Sequence, residues 1–315
     1  MSTRNKHAIT GAYGYSGKHI ASRLLENKKE VVTLTNSPSR PHPFGDHVKA
    51  RPLGFENLDA LTESLMDVDT LYNTYWVRFN HTCFRHSEAV KNTQTLFAAA
   101  KKAGVRRIVH ISITNPDETS PLEYFSGKGI LESSLRESGL SYAILRPAVI
   151  FGEEDILINN IAWALRKLPV FGVFGDGKYR LRPIHVDDLA DLAVKAGGID
   201  ENSIIQAVGP ESYSYRELVA MIGNSIHCER RIINIPPGLG YLASKMIGFI
   251  MNDIFITQEE IRGLMSGLLD VVGPPAGPTK ISDWCRANSS NLGIHYASEL
   301  ARRFDRTKAY LQPRS

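Results

Sequence analysis

The chain has 315 residues, 43% hydrophobic and 22% charged, with a net charge of +4. That is an ordinary globular composition, long enough for one large domain or two unequal ones, and its small, dispersed excess of cations argues against nucleic acid as a partner. Cys83, Cys228 and Cys285 are far apart and odd in number, which fits reduced thiols in a cytoplasmic protein and not a disulfide frame or a zinc site.

No apolar core follows a basic start at the N-terminus, so no signal peptide is expected. A short apolar run over 6–9 ends in Thr10-Gly11-Ala12-Tyr13-Gly14-Tyr15-Ser16-Gly17, and a helix pattern follows over 18–26. This strand–turn–helix context is what a dinucleotide fingerprint needs. Gly11 permits the tight turn, Gly14 lets backbone approach a pyrophosphate, and Gly17 lets the helix lie close to the strand. The helix N-terminus offers N–H groups and partial positive charge to phosphates. Tyr13, Tyr15 and Ser16 of the same turn complete this part of the expected cofactor set. The spacing is G-x-x-G-x-x-G; it is the position after the first strand that makes it informative.

The second strand is expected over 31–35. An NAD site places an acid after it for the ribose 2′-hydroxyl, whereas an NADP site supplies an Arg. Here Asn36, Ser37 and Arg40 follow with no acid among them, which favours NADP over NAD. A third strand over 48–55 and a short helix over 57–66 come next. The fourth strand, over 70–74, brings Asn73, Thr74 and Tyr75 to the carboxyl edge of a parallel sheet, where ligands sit. A long helix is expected over 81–103, closed by Gly104, and a fifth strand over 105–111. Alternating strands and helices imply βαβ units: an α/β fold with a doubly wound parallel sheet of the Rossmann kind.

Ser112 stands just past the fifth strand, where its hydroxyl can orient a substrate oxygen. Tyr124 and Lys128 are four apart and share a helix face. An ammonium beside a phenol favours the phenolate and so suits the tyrosine to proton transfer; the lysine can also bind ribose hydroxyls. Gly127 and Gly129 each weaken this helix by about 1 kcal/mol relative to Ala.

Several stretches together carry a family resemblance. They are the glycine turn, Asn92-Thr93-Gln94-Thr95-Leu96, Val109-His110-Ile111-Ser112, Tyr124-x-x-x-Lys128, Leu145-Arg146-Pro147-Ala148-Val149-Ile150-Phe151-Gly152 and Pro183-Ile184-His185-Val186-Asp187-Asp188-Leu189-Ala190. They run in order over roughly the first two thirds of the chain, and as a set the chain resembles the short-chain dehydrogenase/reductase superfamily, of the extended or atypical kind that includes nucleotide-sugar epimerases. The resemblance implies a nicotinamide cofactor, Tyr124 as acid/base, Lys128 as its partner and Ser112 as the substrate-oxygen ligand. It implies that Pro147, Ala148 and Val149 line the nicotinamide side. It also implies a nucleotide domain over 1–155, with contributions from about 180–210, and a substrate region over 156–315.

The chain departs from the extended pattern at several points. Ile113-Thr114-Asn115-Pro116 replace a second serine and an aromatic-Gly pair, Gly54-Phe55-Glu56 replace an acid, and Asn73-Thr74-Tyr75 replace a small-residue turn. These changes point to the atypical group, similar to regulatory dinucleotide sensors and to an accessory subunit of respiratory complex I.

In the last third, helices are expected over 156–168 and 298–311 and a strand over 204–208. Asp187-Asp188 reads as a helix cap, and Ser214-x-x-Glu217 and Thr257-x-x-Glu260 read as capping boxes. Arg180 and Arg182 suit either an anionic substrate or a solvated edge. No run is long enough to span a membrane; the nearest, 239–256, is broken by Lys245, Asn252 and Asp253 and reads as a core or interface helix in preference to a membrane-surface one. Two functions follow. The first is an NAD(P)-dependent oxidoreductase acting on a small molecule with a carbonyl or hydroxyl group. The second is a regulatory or structural protein that holds NADP(H) without turnover. A homodimer is compatible with either.

Overall fold

The computed structural model describes residues 5–307. In chain order the first elements are β1 (Lys6–Thr10), α1 (Tyr15–Glu26), β2 (Glu30–Thr35), β3 (Val48–Pro52), α2 (Leu58–Ser64), β4 (Val68–Asn73), α3 (His86–Lys102), β5 (Arg107–Ile111), α4 (Glu123–Glu137) and β6 (Ser141–Pro147). There follow β7 (Ile150–Phe151), α5 (Leu157–Lys167), β8 (Val170–Phe174), β9 (Arg180–Leu181), β10 (Ile184–His185), α6 (Val186–Gly197) and β11 (Ser203–Ala207). The last are β12 (Tyr213–Ser214), α7 (Tyr215–Ser225), β13 (Arg231–Ile235), α8 (Pro237–Met251), α9 (Gln258–Met265), α10 (Ile281–Ala287) and α11 (Glu299–Phe304). The expected long helix over 81–103 starts only at His86, because His81 and Phe84 pair across a small turn before it. The expected helix over 298–311 is seen as α11, and residues 308–311 lie outside the described residues.

The chain divides into two compact units. One takes in the chain up to Pro147 together with Leu189–Gln206, and the other Ala148–Asp188 and Ala207–Arg306. In the first, seven strands lie in the order β3-β2-β1-β4-β5-β6-β11, and the pairings from β3 through β6 are parallel. The order reverses between β1 and β4, which is where an open α/β sheet leaves its ligand crevice. The central strands β1, β4 and β5 are buried along nearly their whole length, whereas the edge strands β3 and β11 are not; all five residues of β5 are buried, including Arg107 and His110. Helix α1 presents Gly17, Ile20, Ala21 and Leu24 to the sheet at the spacing of one helical face. The two glycines inside α4 have a packing reason that outweighs their cost to the helix. A Cβ on Gly127 would stand 2.9 Å from the Trp76 ring, and one on Gly129 would stand 2.6 Å from the backbone nitrogen of Glu118.

The second unit has its own core around Phe151, Leu165, Val173, Leu218, Ile222 and Cys285. Here β8 and β13 pair in parallel. Asp187 and Asp188 fall within the first turn of α6, not at its cap, and Asp188 accepts from the backbone N–H and the hydroxyl of Thr279.

Arg107 carries much of the first unit's edge. It is fully buried, and its guanidinium donates to the carbonyls of Ala196 (2.8 Å), Asp200 (3.2 Å) and Glu201 (2.9 Å). Arg107→Leu strips the donors from three carbonyls at once. The expected result in urea denaturation is a loss of about 3 kcal/mol or more.

Candidate functional site

At the carboxyl end of β1, Gly11 has φ +72°, the left-handed conformation that only glycine adopts without strain. Its carbonyl accepts from the Gly14 N–H at 2.9 Å and closes the turn. A Cβ on Gly17 would collide with that carbonyl, so glycine alone lets the helix lie this close to the turn. Gly14 is the N-cap of α1 and brings no side chain to the helix end, and no acid stands in the first turn. Tyr15, Ser16 and Gly17 form that first turn. The arrangement fits a pyrophosphate: backbone close to the ligand, the positive end of the helix dipole, and no carboxylate to oppose it.

The ends of β1 and β4 are laced together by one hydroxyl. Thr10 Oγ1 accepts from the N–H of Thr74 (2.8 Å) and of Tyr75 (3.1 Å) and donates to Asn73 Oδ1 (3.0 Å). Thr74 Oγ1 donates to the Thr10 carbonyl at 2.6 Å. Because Asn73 Oδ1 is an acceptor here, its amide nitrogen is the donor to His110 Nδ1 at 3.0 Å. Asn73 is wholly buried, its side chain shared between Thr10 and His110. Thr74 and Tyr75 remain half-buried at the strand end, with the Tyr75 hydroxyl accepting from Asn92.

Past β2, Asn36 is exposed and Ser37 and Arg40 are half-buried, in a turn closed by the Arg40 N–H on the Ser37 carbonyl. Tyr13, expected at the cofactor, makes its contacts with this loop and the strand after it. Its ring stacks on His42 at 3.8 Å and its hydroxyl donates to the Val48 carbonyl at 3.1 Å.

The catalytic set departs from expectation most. Ser112 Oγ donates to Glu132 Oε1 at 2.5 Å in a buried pair, and Glu132 also accepts two hydrogen bonds or more from Arg146, the shortest at 2.5 Å. Lys128 is 2% exposed; its ammonium donates to the Ile111 carbonyl at 2.7 Å and lies 4.4 Å over the Trp76 ring. Burial pushes the Lys128 pKa down to about 7, against the pull of the Glu132 carboxylate. Tyr124 is half-buried and meets Trp76 and His86 edge-on, each at 5.7 Å between ring centres. The indole of Trp76 thus packs against both members of the Tyr124–Lys128 pair.

Trp76, Glu132, Arg146, His86 and Thr10 escaped the sequence reading. Glu132 had a signal: it continues the four-residue spacing of Tyr124 and Lys128 along one helix face. Trp76 had none, since it sits in a strand-end loop. An open cleft of about 780 Å³ beside α4, lined in part by Asn80, Arg85, His86, Glu123 and Ser126, holds none of the expected site residues. Pro147 ends β6 in the first unit, where its carbonyl accepts from Thr114; Ala148 and Val149 belong to the second unit. Arg182 donates to the carbonyls of Gly209, Val271 and Gly273, and the more exposed Arg180 meets Ser212, Glu217 and Asp270. Among the described residues no cluster of His, Cys, Asp and Glu could hold a metal ion.

The sheet order and the glycine turn define a dinucleotide-binding protein of Rossmann type. The NAD(P)H-binding family model matches residues 11–168, and the chain belongs to that family. The chain is 27% identical over 237 residues to the mitochondrial NADH-ubiquinone oxidoreductase 40 kDa subunit of Neurospora crassa, with 72% of this chain and 62% of that one covered. It is 20% identical to the mitochondrial NADH dehydrogenase (ubiquinone) 1 alpha subcomplex subunit 9 of Arabidopsis thaliana, with 78% of this chain and 64% of that one covered. The chain therefore spans less than two thirds of the length of these two relatives. The fold is shared with a triphenylmethane reductase of Citrobacter sp. (TM-score 0.75, 15% identity, 90% of this chain and 99% of that one). It is shared also with a nucleoside-diphosphate-sugar epimerase of Staphylococcus aureus (TM-score 0.73, 18% identity, 89% and 99%).

The Lys128 environment has a measurable signature. With its folded pKa near 7 and an unfolded value near 10.5, the unfolded chain binds more protons between those limits, so this group makes stability rise with pH there. Below about pH 7 both states are protonated and the slope vanishes. Measured by urea denaturation at pH 7 and pH 9, the stability of the wild type relative to Lys128→Met shifts toward the wild type at the higher pH, by up to about 1.4 kcal/mol per pH unit.

Proposed function

We propose that the chain is an NADP(H)-binding protein that holds its dinucleotide at the 11–17 turn and carries out little or no turnover through Tyr124. A bound nicotinamide would supply hydride chemistry; the question is what this chain's own side chains do beside it. The observation that carries the reading is the engagement of Ser112 and Lys128. A serine hydroxyl has one proton, and that of Ser112 is donated to Glu132, so none is offered to a substrate carbonyl. The Lys128 ammonium is turned to the Ile111 carbonyl and the Trp76 face, out of water and partly discharged near pH 7. A phenol without a firm cation beside it is a weak proton donor at that pH. The names of the curated relatives support a subunit-like role, in which nucleotide bound to the folded state stabilises it by mass action. Asn36, Ser37 and Arg40 support NADP over NAD, since a cation and neutral donors suit a 2′-phosphate.

A second reading, an oxidoreductase acting on a small carbonyl or carbinol, is favoured by one feature: Tyr124 is half-buried, one helical turn from Lys128. Fluorescence titration separates the parts of the proposal. NADPH is expected to bind about tenfold tighter than NADH, and Arg40→Ala is expected to remove most of that difference. Tyr124→Phe is expected to leave both affinities unchanged. Carbonyl-dependent NADPH oxidation that Tyr124→Phe abolishes would overturn the binding-protein reading in favour of the enzyme.

A further inference from the structure

Helix α8 is built inside out. Its inward face is made of small residues four apart: Gly240, Ser244 and Gly248 are buried. A Cβ on Gly240 would stand 2.6 Å from the Phe174 ring, and one on Gly248 would stand 2.6 Å from the Asp253 carbonyl. The large apolar residues point the other way. Leu239 is 61% exposed, Leu242 58%, Met246 64%, Phe249 89% and Ile250 77%. On a helix these five occupy one continuous outward stripe. Ordinary surface helices place such residues inward, and a contiguous exposed patch of this kind marks an interaction surface.

Helix α8 itself carries one charged side chain, Lys245, and no acid. The next acid, Asp253, is turned inward, where it accepts from the Tyr296 hydroxyl at 2.9 Å and from the N–H groups of Glu299 and Leu300 at 3.1 Å. Lys245 is exposed on the edge of the stripe, its ammonium 4.9 Å over the Tyr241 ring. We propose that α8 docks the chain on an anionic lipid surface, lying in the headgroup region with Leu239, Leu242, Met246, Phe249 and Ile250 against the acyl chains.

Three observations favour lipid over protein. Apart from Lys245, the exposed side chains of α8 carry no hydrogen-bonding group, whereas a specific protein interface makes about one hydrogen bond per 100–200 Å². A ridge of 15 residues is ~22 Å long and one helix wide, short of the ~800 Å² that each partner of a stable complex buries. Lys245 at the edge of the stripe suits an anionic headgroup, and a lipid surface takes up each apolar side chain without a shape to fit. The helix is also too short to span: no described helix is long and apolar enough to cross a membrane.

The test is flotation of the full chain with phosphatidylcholine vesicles, with and without about a quarter phosphatidylglycerol. The wild type is expected to float with the anionic vesicles. The Phe249→Glu/Ile250→Glu double variant is expected to lose roughly tenfold or more of that binding, and Lys245→Glu to lose part of it. Unchanged thermal unfolding by circular dichroism checks that the double variant is folded. As a gentler probe, Phe249→Trp should show new quenching by brominated lipids. The proposal falls if the wild type floats with neither vesicle, if the double variant floats as well as the wild type, or if Phe249→Trp is not quenched. It falls equally if sedimentation shows a dimer that the double variant splits without any flotation, which would make the stripe an interface between two copies. None of these readouts depends on nucleotide binding.

Discussion

A parallel sheet buried on both faces brings its strand ends, with their unpaired backbone groups, to the place where a ligand must be received. Those groups need partners, and the Thr10 hydroxyl serves two strands. By accepting the N–H groups of Thr74 and Tyr75 and donating to Asn73, it joins β1 to β4 where the strand order reverses. The conformation of the glycine turn starts from that joint. Asn73 then passes the connection to His110, whose ring is fully buried and held neutral by desolvation and by Lys128.

The same demand explains the polar groups beyond β5. Glu132, 4% exposed, would be costly if unpaired, and Ser112 and Arg146 both satisfy it. Lys128 meets the demand differently, by an aromatic face, a carbonyl and a lowered proton affinity. Ser112, Lys128 and Tyr124 are each engaged by a neighbour outside the expected set: Glu132 for the first, Ile111 and Trp76 for the second, Trp76 and His86 for the third. The glycines at 127 and 129 belong to the same economy of space, since they admit Trp76 and the loop at Glu118 to the helix surface.

Much of this was legible in the sequence because it is periodic or local. The alternation of strands and helices, the glycine turn and both capping boxes follow from spacing over a few residues, and the structure has Ser214 and Thr257 capping α7 and α9 as their sequences require. What was not legible depends on contacts across the sheet. Tyr13 looks like a cofactor residue by position, and nothing local announces its contacts with the distant His42 and Val48. Trp76 sits in a loop without period, and Glu132 is decided by Ser112 and Arg146 on other elements. Helix α8 is the reverse case. Its apolar residues suggest a core or interface helix, and its core half fails because glycines and a serine, which add nothing to a hydrophobic count, hold the inward face.

The Tyr13–His42 stack has a consequence for how the nucleotide is received. Loops that order only on meeting a ligand spend part of the binding free energy on their own immobilisation. Here the loop bearing Asn36, Ser37 and Arg40 is pinned at its far side to the turn that faces the pyrophosphate, and Tyr13 reaches on to the backbone of β3. The glycine turn and the loop over 36–47 are thereby joined through one aromatic pair. If the dinucleotide binds as proposed, Arg40 would meet its 2′ end from a loop already held in place by that pair.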